Sequence, residues 1–350
     1  AGYKQNDGQG HLHAQESGGG YQKAREMVWL ASCAPVRIRV GWEMAYRIVA
    51  LDGGGIRGLI TLGWLESVTE QHPEWLTSAD LLAGTSTGGI LSLALAAGVS
   101  ISDLRDLYLK RGPIIFGDSL WDDIKDVGNW NGAEYSAEPL KAVLQDVFGD
   151  RTLGDLKQRV VVPVFDLDND ATDPQQRQWK PKIIHNFPGP DNDAGWPCWK
   201  AALYTSLAPT FFPAVDGYID GGVFANSPGM IALGQTQDAR NTEAAPALDD
   251  ISLLALGTGR SLNRIEEANP DWGVRQWARP LLQLMFQADM DTVDYQLKQF
   301  LRERYHRMDV VFPEGTRIPM DAVDKMDELE AFSRSASLDA THDWMAQHWL

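Results

Sequence analysis

Cysteine is nearly absent from this chain: Cys33 and Cys198 are the only two in 350 residues. Two thiols so far apart make neither a disulfide framework nor a paired-cysteine metal site, and a reducing compartment is the expected setting. Long apolar runs are missing as well. No stretch approaches the roughly 18 residues that a membrane-spanning helix needs. Basic residues are outnumbered by acidic ones, 31 against 48, for a formal net charge of -17. A surplus of that sign excludes the phosphate-neutralising surface that nucleic acid demands, and it weakens attraction to strongly anionic membranes. The expected location is cytoplasmic or peripheral to a membrane, with secretion lacking a recognisable signal peptide as the remaining route. What is present is ordinary for a globular protein, 44% hydrophobic and 23% charged residues, apart from thirteen tryptophans.

Residues 1–43 stand apart from the rest. "NDGQGHLHAQESGGGYQKARE" is polar and glycine-rich, with neither helical nor alternating periodicity. Met44 stands directly before the first strand-like run, so 1–43 is expected to be a leader, an expression remnant or a flexible extension. "LASC" at 30–33 matches a lipobox, but "MVWL" before it falls short of the roughly 7–15 apolar residues of a signal-peptide core, and the match reads as chance. His11 and His13 in this tract read as solvated.

From Met44 onward strand-like and helix-like segments alternate, the pattern of one layered α/β domain without internal repeats. "YRIVALD" predicts a strand, followed by a helix over 58–72 that Pro73 stops. "ADLLAG" predicts a short strand, and "TGGILSLALAAG" an apolar helix. "SISDLRDLYLKRG" predicts a helix closing on Gly112, and "SAEPLKAVLQDVFG" one capped by Ser136. "RVVVPVFDLD" is a buried strand whose Pro163 predicts an edge or a bulge. "WKPKIIHNF" and "DISLLALGTG" are further strands, and "CWKAALYTSLAPTFFPA" is a helix broken by Pro209. Beyond Asp271 the chain reads as mostly helical, with a strand near 307–312 and an amphipathic helix from about 321.

Three motifs carry chemistry. The first, "DGGGIRG" at 52–58, follows the opening strand, and Gly53, Gly55 and Gly58 satisfy G-x-G-x-x-G. Glycines at a helix start let backbone N–H groups converge on an anion, either a dinucleotide pyrophosphate or an oxyanion. The dinucleotide fingerprint also wants an acidic residue at the end of the second strand, but that strand ends in glycine. The second motif is Gly84-Thr85-Ser86-Thr87-Gly88, a G-x-S-x-G between an apolar strand and an apolar helix, where a nucleophile elbow belongs. The third is Asp220-Gly221-Gly222 at the end of a short strand.

A nucleophilic serine needs a base. None of His72, His185, His306, His342 and His348 sits on a glycine-bounded loop after a strand, so Asp220 is the better candidate. Alone, Asp220-Gly221 reads equally as a hairpin turn. "DLDND" at 166–170 reads as a solvated acidic loop with a calcium site unsupported, and Trp121 and Trp130, or Trp196 and Trp199, are candidate apolar patches.

In this order the three motifs, with "SLAPTFFPA", "ANSPGMIAL" and "LLALGTG" around them, resemble the patatin-like phospholipase family over most of 46–311. The resemblance implies a three-layer α/β sandwich with a central, mostly parallel sheet, here spanning 44–350 with a helical C-terminal part from about 316. It implies Ser86 as nucleophile, Asp220 as base without histidine, and the amides of Gly53, Gly54 and Gly55 as oxyanion hole. Asp52, Arg57, Gly58, Gly84, Gly88, Gly221 and Gly222 would support the motifs, Arg57 by organising the loop or by attracting a phosphate head group. The implied partner is an acyl lipid or other ester, met at a membrane surface or in solution, with no metal and no cofactor. A phospholipase effector of bacterial defence or a toxin, switched on by a small molecule, is the variant within the family. A phosphate- or dinucleotide-binding protein with an incidental G-x-S-x-G is the alternative outside it.

Overall fold

The structure, a computed structural model, describes residues 45–117, 132–262, 264–265 and 271–350. Residues 1–43, with His11, His13 and Cys33, and Trp121 and Trp130, for which the sequence raises expectations, lie outside the described residues.

Strand β1 (Tyr46–Leu51) leads into helix α1 (Gly58–Gln71), and β2 (Leu81–Gly84) into α2 (Thr87–Ala96). Helices α3 (Ile101–Ile115) and α4 (Ala137–Phe148) precede β3 (Arg159–Asp166) and β4 (Lys180–His185). Next come α5 (Cys198–Thr205), β5 (Tyr218–Asp220), the short α6 (Gly222–Ala225) and α7 (Gly229–Thr236). Strand β6 (Ile251–Leu256), α8 (Val274–Leu301), β7 (Tyr305–Met308), α9 (Met326–Ser335) and α10 (Asp339–His348) complete the order.

The sheet runs β4-β3-β2-β1-β6-β7, with β5 also paired to β3. The five strands from β3 to β7 in this row are parallel, while β4 and β5 run antiparallel to β3. Alternation along each strand sorts the core into two. Val49, Leu51, Leu82, Val160, Val162, Leu254 and Leu256 face α1 to α5, whereas Ile48, Ala50, Leu81, Ala83, Val161, Leu253 and Ala255 face α7 and α8. The period-two direction of strand side chains is the cause, and helices on both faces go with near-continuous apolar runs in the central strands β1, β2 and β6. Strand order reverses at β1, since β2 lies on one side and β6 on the other. The carboxyl ends of strands flanking such a switch point open into a crevice, where α/β sheets bind ligands.

Four expectations need correction. Pro163 is at no edge, because β3 is paired on both sides. It falls between Val161, the last residue paired with β2, and Val164, the first paired with β5, so that flank has no ladder partner there. Helix α3 does not close on Gly112 but continues through Pro113 to Ile115; Gly112 is there for close packing, since a Cβ would meet Ile56 Cδ1 at 2.7 Å. The C-terminal amphipathic stretch is two helices. The break at Ala336, which is extended, lets α9 pack its Ser333 against Gly63 of α1 while α10 turns Trp344 to the Glu303 carbonyl, 2.7 Å away. Strand β7 also begins earlier than expected, with only an Arg260–Val311 bridge beyond it. The Ser100 and Ser136 caps form as the sequence predicts, accepting from Asp103 N and Glu138 N.

Candidate active site

Ser86 sits between β2 and α2 at φ 55 and ψ -125, a backbone region strained for any residue with a Cβ. The turn is tight because its flanks are bare. A Cβ on Gly84 would strike the Gly88 carbonyl, and one on Gly88 would strike the Leu51 carbonyl of the neighbouring strand. Thr205 Oγ1 accepts from the Ser86 N–H at 3.0 Å and donates to the Pro163 carbonyl at 2.7 Å, holding the turn from below. The Thr85 hydroxyl donates to the Ala225 carbonyl at 2.7 Å, tying the elbow to the segment after Asp220. The Ser86 side chain stays half-buried, at the N-terminus of α2 where developing negative charge is favoured.

Asp220 ends β5, is 2% exposed, and lines the same cleft as Ser86, whose hydroxyl favours its charged form. Its neighbour Gly222 donates N–H to Asp220 Oδ1 at 2.7 Å. Burial pushes the carboxyl up to about 7, with the Gly222 N–H and Ser86 hydroxyl pulling the other way. A carboxylate that weakly basic in water becomes a usable general base near neutrality. Asp220-Gly221 is no hairpin, since α6 follows at once. Gly221 is required for approach, because a Cβ would strike the Pro163 carbonyl.

The glycine loop separates into unequal members. Gly53 N–H donates to the Asn226 carbonyl at 3.0 Å and is spent. The amides of Gly54 and Gly55 make no hydrogen bond among the described residues, and both residues line the cleft that holds Ser86 and Asp220. Of the three amides expected to serve an oxyanion, two are left without a partner among the described residues, for a reason no spacing reveals. Arg57 lies outside the cleft wall; Nε donates to the Gly54 carbonyl at 3.3 Å and Nη1 to the Gly259 carbonyl at 3.2 Å. It braces the loop, and burial lowers its pKa to about 10. Thr258 Oγ1 donates to the Gly53 carbonyl at 2.9 Å, and the Met320 carbonyl accepts from Ile56 N–H at 2.7 Å. Asp52 is fully buried and paired with Arg307 at 2.6 Å. Burial drives its carboxyl up and Arg307 opposes.

The cleft is mostly apolar, lined by Ile90 of α2, Leu107 and Ile115 of α3, Val143 of α4, Phe212 from the segment between α5 and β5, and Phe286 of α8, among others. Few polar groups in a long apolar trough suit an acyl chain whose reacting ester reaches Ser86. Among the described residues no histidine lines it. His72 pairs with His342 at 3.1 Å, His306 meets Thr341 at 2.9 Å and stacks on Trp344, and buried His185 is part of β4. Trp196 is half-buried against Tyr204 and Tyr218 with Lys182 over its ring, so it forms no open apolar patch. The acidic loop is closed by Arg177, which binds Asp168 at 2.7 and 2.9 Å and Asp170 at 3.4 Å. No group of three or more His, Cys, Asp or Glu poised for a metal occurs among the described residues, and no helix there is long and apolar enough to cross a membrane.

Residues 49–233, more than half the chain, match the family profile Patatin, described as patatin-like phospholipase. The chain belongs to the patatin-like phospholipase family. It is a carboxylic ester hydrolase. Over 274 residues it is 34% identical to a cGAMP-activated phospholipase of Pseudomonas aeruginosa, covering 75% of this chain and 78% of that one. Over 305 residues it is 29% identical to patatin-like protein 2 of Arabidopsis thaliana, covering 73% and 72%. The solved ExoU–SpcU complex of Pseudomonas aeruginosa is similar at TM-score 0.39 and 15% identity, over 87% of this chain and 52% of that one, too loosely to assign anything further. The dinucleotide reading falls with the loop: one amide is spent on Asn226, and β2 ends in an elbow instead of a carboxylate.

The sequence pointed to Ser86, Asp220 and the glycine loop, and the fold brings them together. It marked Asn226 only as part of the supporting segment "ANSPGMIAL", and it did not point to Arg307, Asp309 or Met320. "GTG" at 257–259 was legible as a supporting segment, whereas Arg307 had no local signal, being one arginine in a short polar strand.

Proposed function

We propose that this chain hydrolyses acyl lipids through a Ser86–Asp220 dyad and an acyl-enzyme. Ser86 Oγ attacks the ester carbonyl carbon while its proton passes to Asp220. The carbonyl oxygen, now an anion, accepts from the N–H groups of Gly54 and Gly55, each donor contributing roughly 3–4 kcal/mol by analogy with other oxyanion holes. The leaving alkoxide takes the proton from Asp220 as the carbon–oxygen bond breaks, leaving acyl-Ser86. Water then gives a proton to Asp220 and attacks the acyl carbon, and Ser86 Oγ recovers that proton on release of the fatty acid. The observation that carries the reading is the buried carboxyl of Asp220 sharing with Ser86 an apolar cleft that also carries two unspent amides. The test is hydrolysis of a lipid panel and fluorophosphonate labelling by wild type and Ser86→Ala. Loss of both in the variant supports the dyad, and wild-type rates in it would sink the idea.

A second reading, activation by a small molecule, is favoured by the relative named a cGAMP-activated phospholipase. It predicts low phospholipid hydrolysis by the isolated chain and a marked rise on adding cGAMP. Equal rates with and without cGAMP remove it.

A further inference from the structure

The family match stops at residue 233, yet much of what shapes the glycine loop comes from later in the chain. Arg307 lies on β7, beside β6 and two strands from β1. A single guanidinium nitrogen, Nη2, donates to Asp52 Oδ2 at 2.6 Å and to Asp309 Oδ2 at 2.8 Å. Asp52 is the residue immediately before the loop, and its N–H is fixed to the Leu256 carbonyl at 3.0 Å. Asp309 Oδ1 in turn accepts from Gly259 N–H at 3.1 Å and Val310 N–H at 2.9 Å. The Gly259 carbonyl accepts from Arg57, whose Nε holds the Gly54 carbonyl. Two routes thus lead from one cation to Gly54, through Asp52 along the backbone and through Asp309, Gly259 and Arg57. Arg307 also faces a third carboxylate, Asp289, which accepts from Ser227 N–H at 2.8 Å beside the Asn226 that binds Gly53. Arg307 lies outside the catalytic cleft and touches nothing that would touch substrate.

We propose that Arg307 is a positioning residue for the oxyanion loop: through Asp52 and Asp309 it sets the direction of the Gly54 and Gly55 N–H groups. This rests on the acyl-transfer reading above. Amides aimed at a charge that exists only in the transition state affect kcat more than substrate binding, and their value depends on sub-ångström placement. Removing the guanidinium leaves buried Asp52 and half-buried Asp309 facing each other without that cation, and the loop relaxes to separate them.

The experiment compares Arg307→Gln, Arg307→Lys and the double variant Asp52→Asn with Arg307→Gln, on a soluble short-chain ester. Folding is checked by Tm. For Arg307→Gln, kcat is expected to fall by about 100-fold with KM within about threefold of wild type. Lysine presents one nitrogen, and one nitrogen makes both bonds, so Arg307→Lys is expected to recover most of that loss. The double variant, with the repulsion removed, is expected to lose no more than Arg307→Gln alone, because the two side chains act as one unit. Hydrogen exchange of the peptide covering 52–58, measured in a Ser86→Ala background, is expected to rise in Arg307→Gln while that of β3 and β4 is unchanged. This last measurement needs no turnover, so it separates failure of this proposal from failure of the hydrolase reading. A folded Arg307→Gln with unchanged exchange at 52–58, or with KM raised and kcat intact, overturns the proposal. Where Arg307→Gln fails to fold, a folded Arg307→Lys with exchange and kcat as for wild type supports it, and one with kcat lowered about 100-fold overturns it.

Discussion

The nucleophile elbow and the glycine loop lie side by side at the ends of β2 and β1, and they are built on opposite plans. The elbow draws its tightness from bare backbone: a Cβ on Gly84 would strike the Gly88 carbonyl and one on Gly88 the Leu51 carbonyl of β1, and the strained turn at Ser86 lies within one run of five residues. The glycine loop draws its shape from afar. Gly53 is held by Asn226 and Thr258, Ile56 by Met320, and Asp52 by Arg307. The difference follows from the work each performs. An elbow must lift one hydroxyl, which bare backbone in a sharp turn can do. A loop that keeps amides unspent must have its other polar groups satisfied by the rest of the molecule, or those amides would turn to the nearest carbonyl.

Breaking the elbow is expected to have the largest effect. Gly88→Ala drives a Cβ into the Leu51 and Asp52 carbonyls, which belong to the central strand and its end and cannot withdraw. A loss of about 3 kcal/mol is expected, read as a lower Tm, together with loss of esterase activity. A Tm equal to wild type would show that the turn has slack the coordinates deny.

Asp220→Asn comes next, with kcat lowered about 1,000-fold. The folded carboxyl titrates near 7 against an ordinary 3.8, so between those values the folded protein holds a proton that the unfolded chain has released. Stability from this group is therefore full below pH 3.8 and is lost as pH rises through about 7. The wild-type rate follows the opposite course, falling below pH 7 as the base is protonated. Asp220→Asn is expected to remove this part of the pH dependence of stability, leaving the variant the more stable protein relative to wild type at pH 8 than at pH 5. Parallel Tm-against-pH curves for the two proteins would contradict the raised value.

On the loop side, Thr258→Val deletes one remote support at nearly constant volume. The Gly53 carbonyl loses its hydroxyl donor, a cost of about 1 kcal/mol, and kcat is expected to fall roughly fivefold with KM unchanged. An effect as deep as that of Gly88→Ala would erase the distinction between local and remote construction. The smallest effect belongs to His306→Ala, which removes a contact with Thr341 and a stack on Trp344 far from the dyad. A modestly lower Tm with unaltered kcat is expected; a collapse of kcat would mean that a histidine serves Ser86 after all.

Legibility in the sequence tracks the same division. Strand-turn-helix order around Ser86, and the buried parallel type of β6, were readable from apolar runs and glycines. Pro163 misled because a strand proline was judged against one partner strand, whereas β3 changes partner from β2 to β5 at that residue. Gly112 misled because a glycine late in a helix stops it or admits a neighbour, and only Ile56, 56 residues earlier in the chain, decides which.

By itself the sequence determined which residues are candidates for the chemistry, since side-chain type and the close spacing of G-x-S-x-G and D-G-G are local facts. It also determined the alternation that divides the core between two helical layers, because that follows from the period of a strand. Only the tertiary structure decided that Gly53 is spent while Gly54 and Gly55 are not, that Asp220 is buried enough to titrate near 7, and that Arg307 stands behind the loop. Hydrogen-bond partners and desolvation depend on what the folded chain brings into contact, and residues 53, 226 and 307 have no common measure along the backbone.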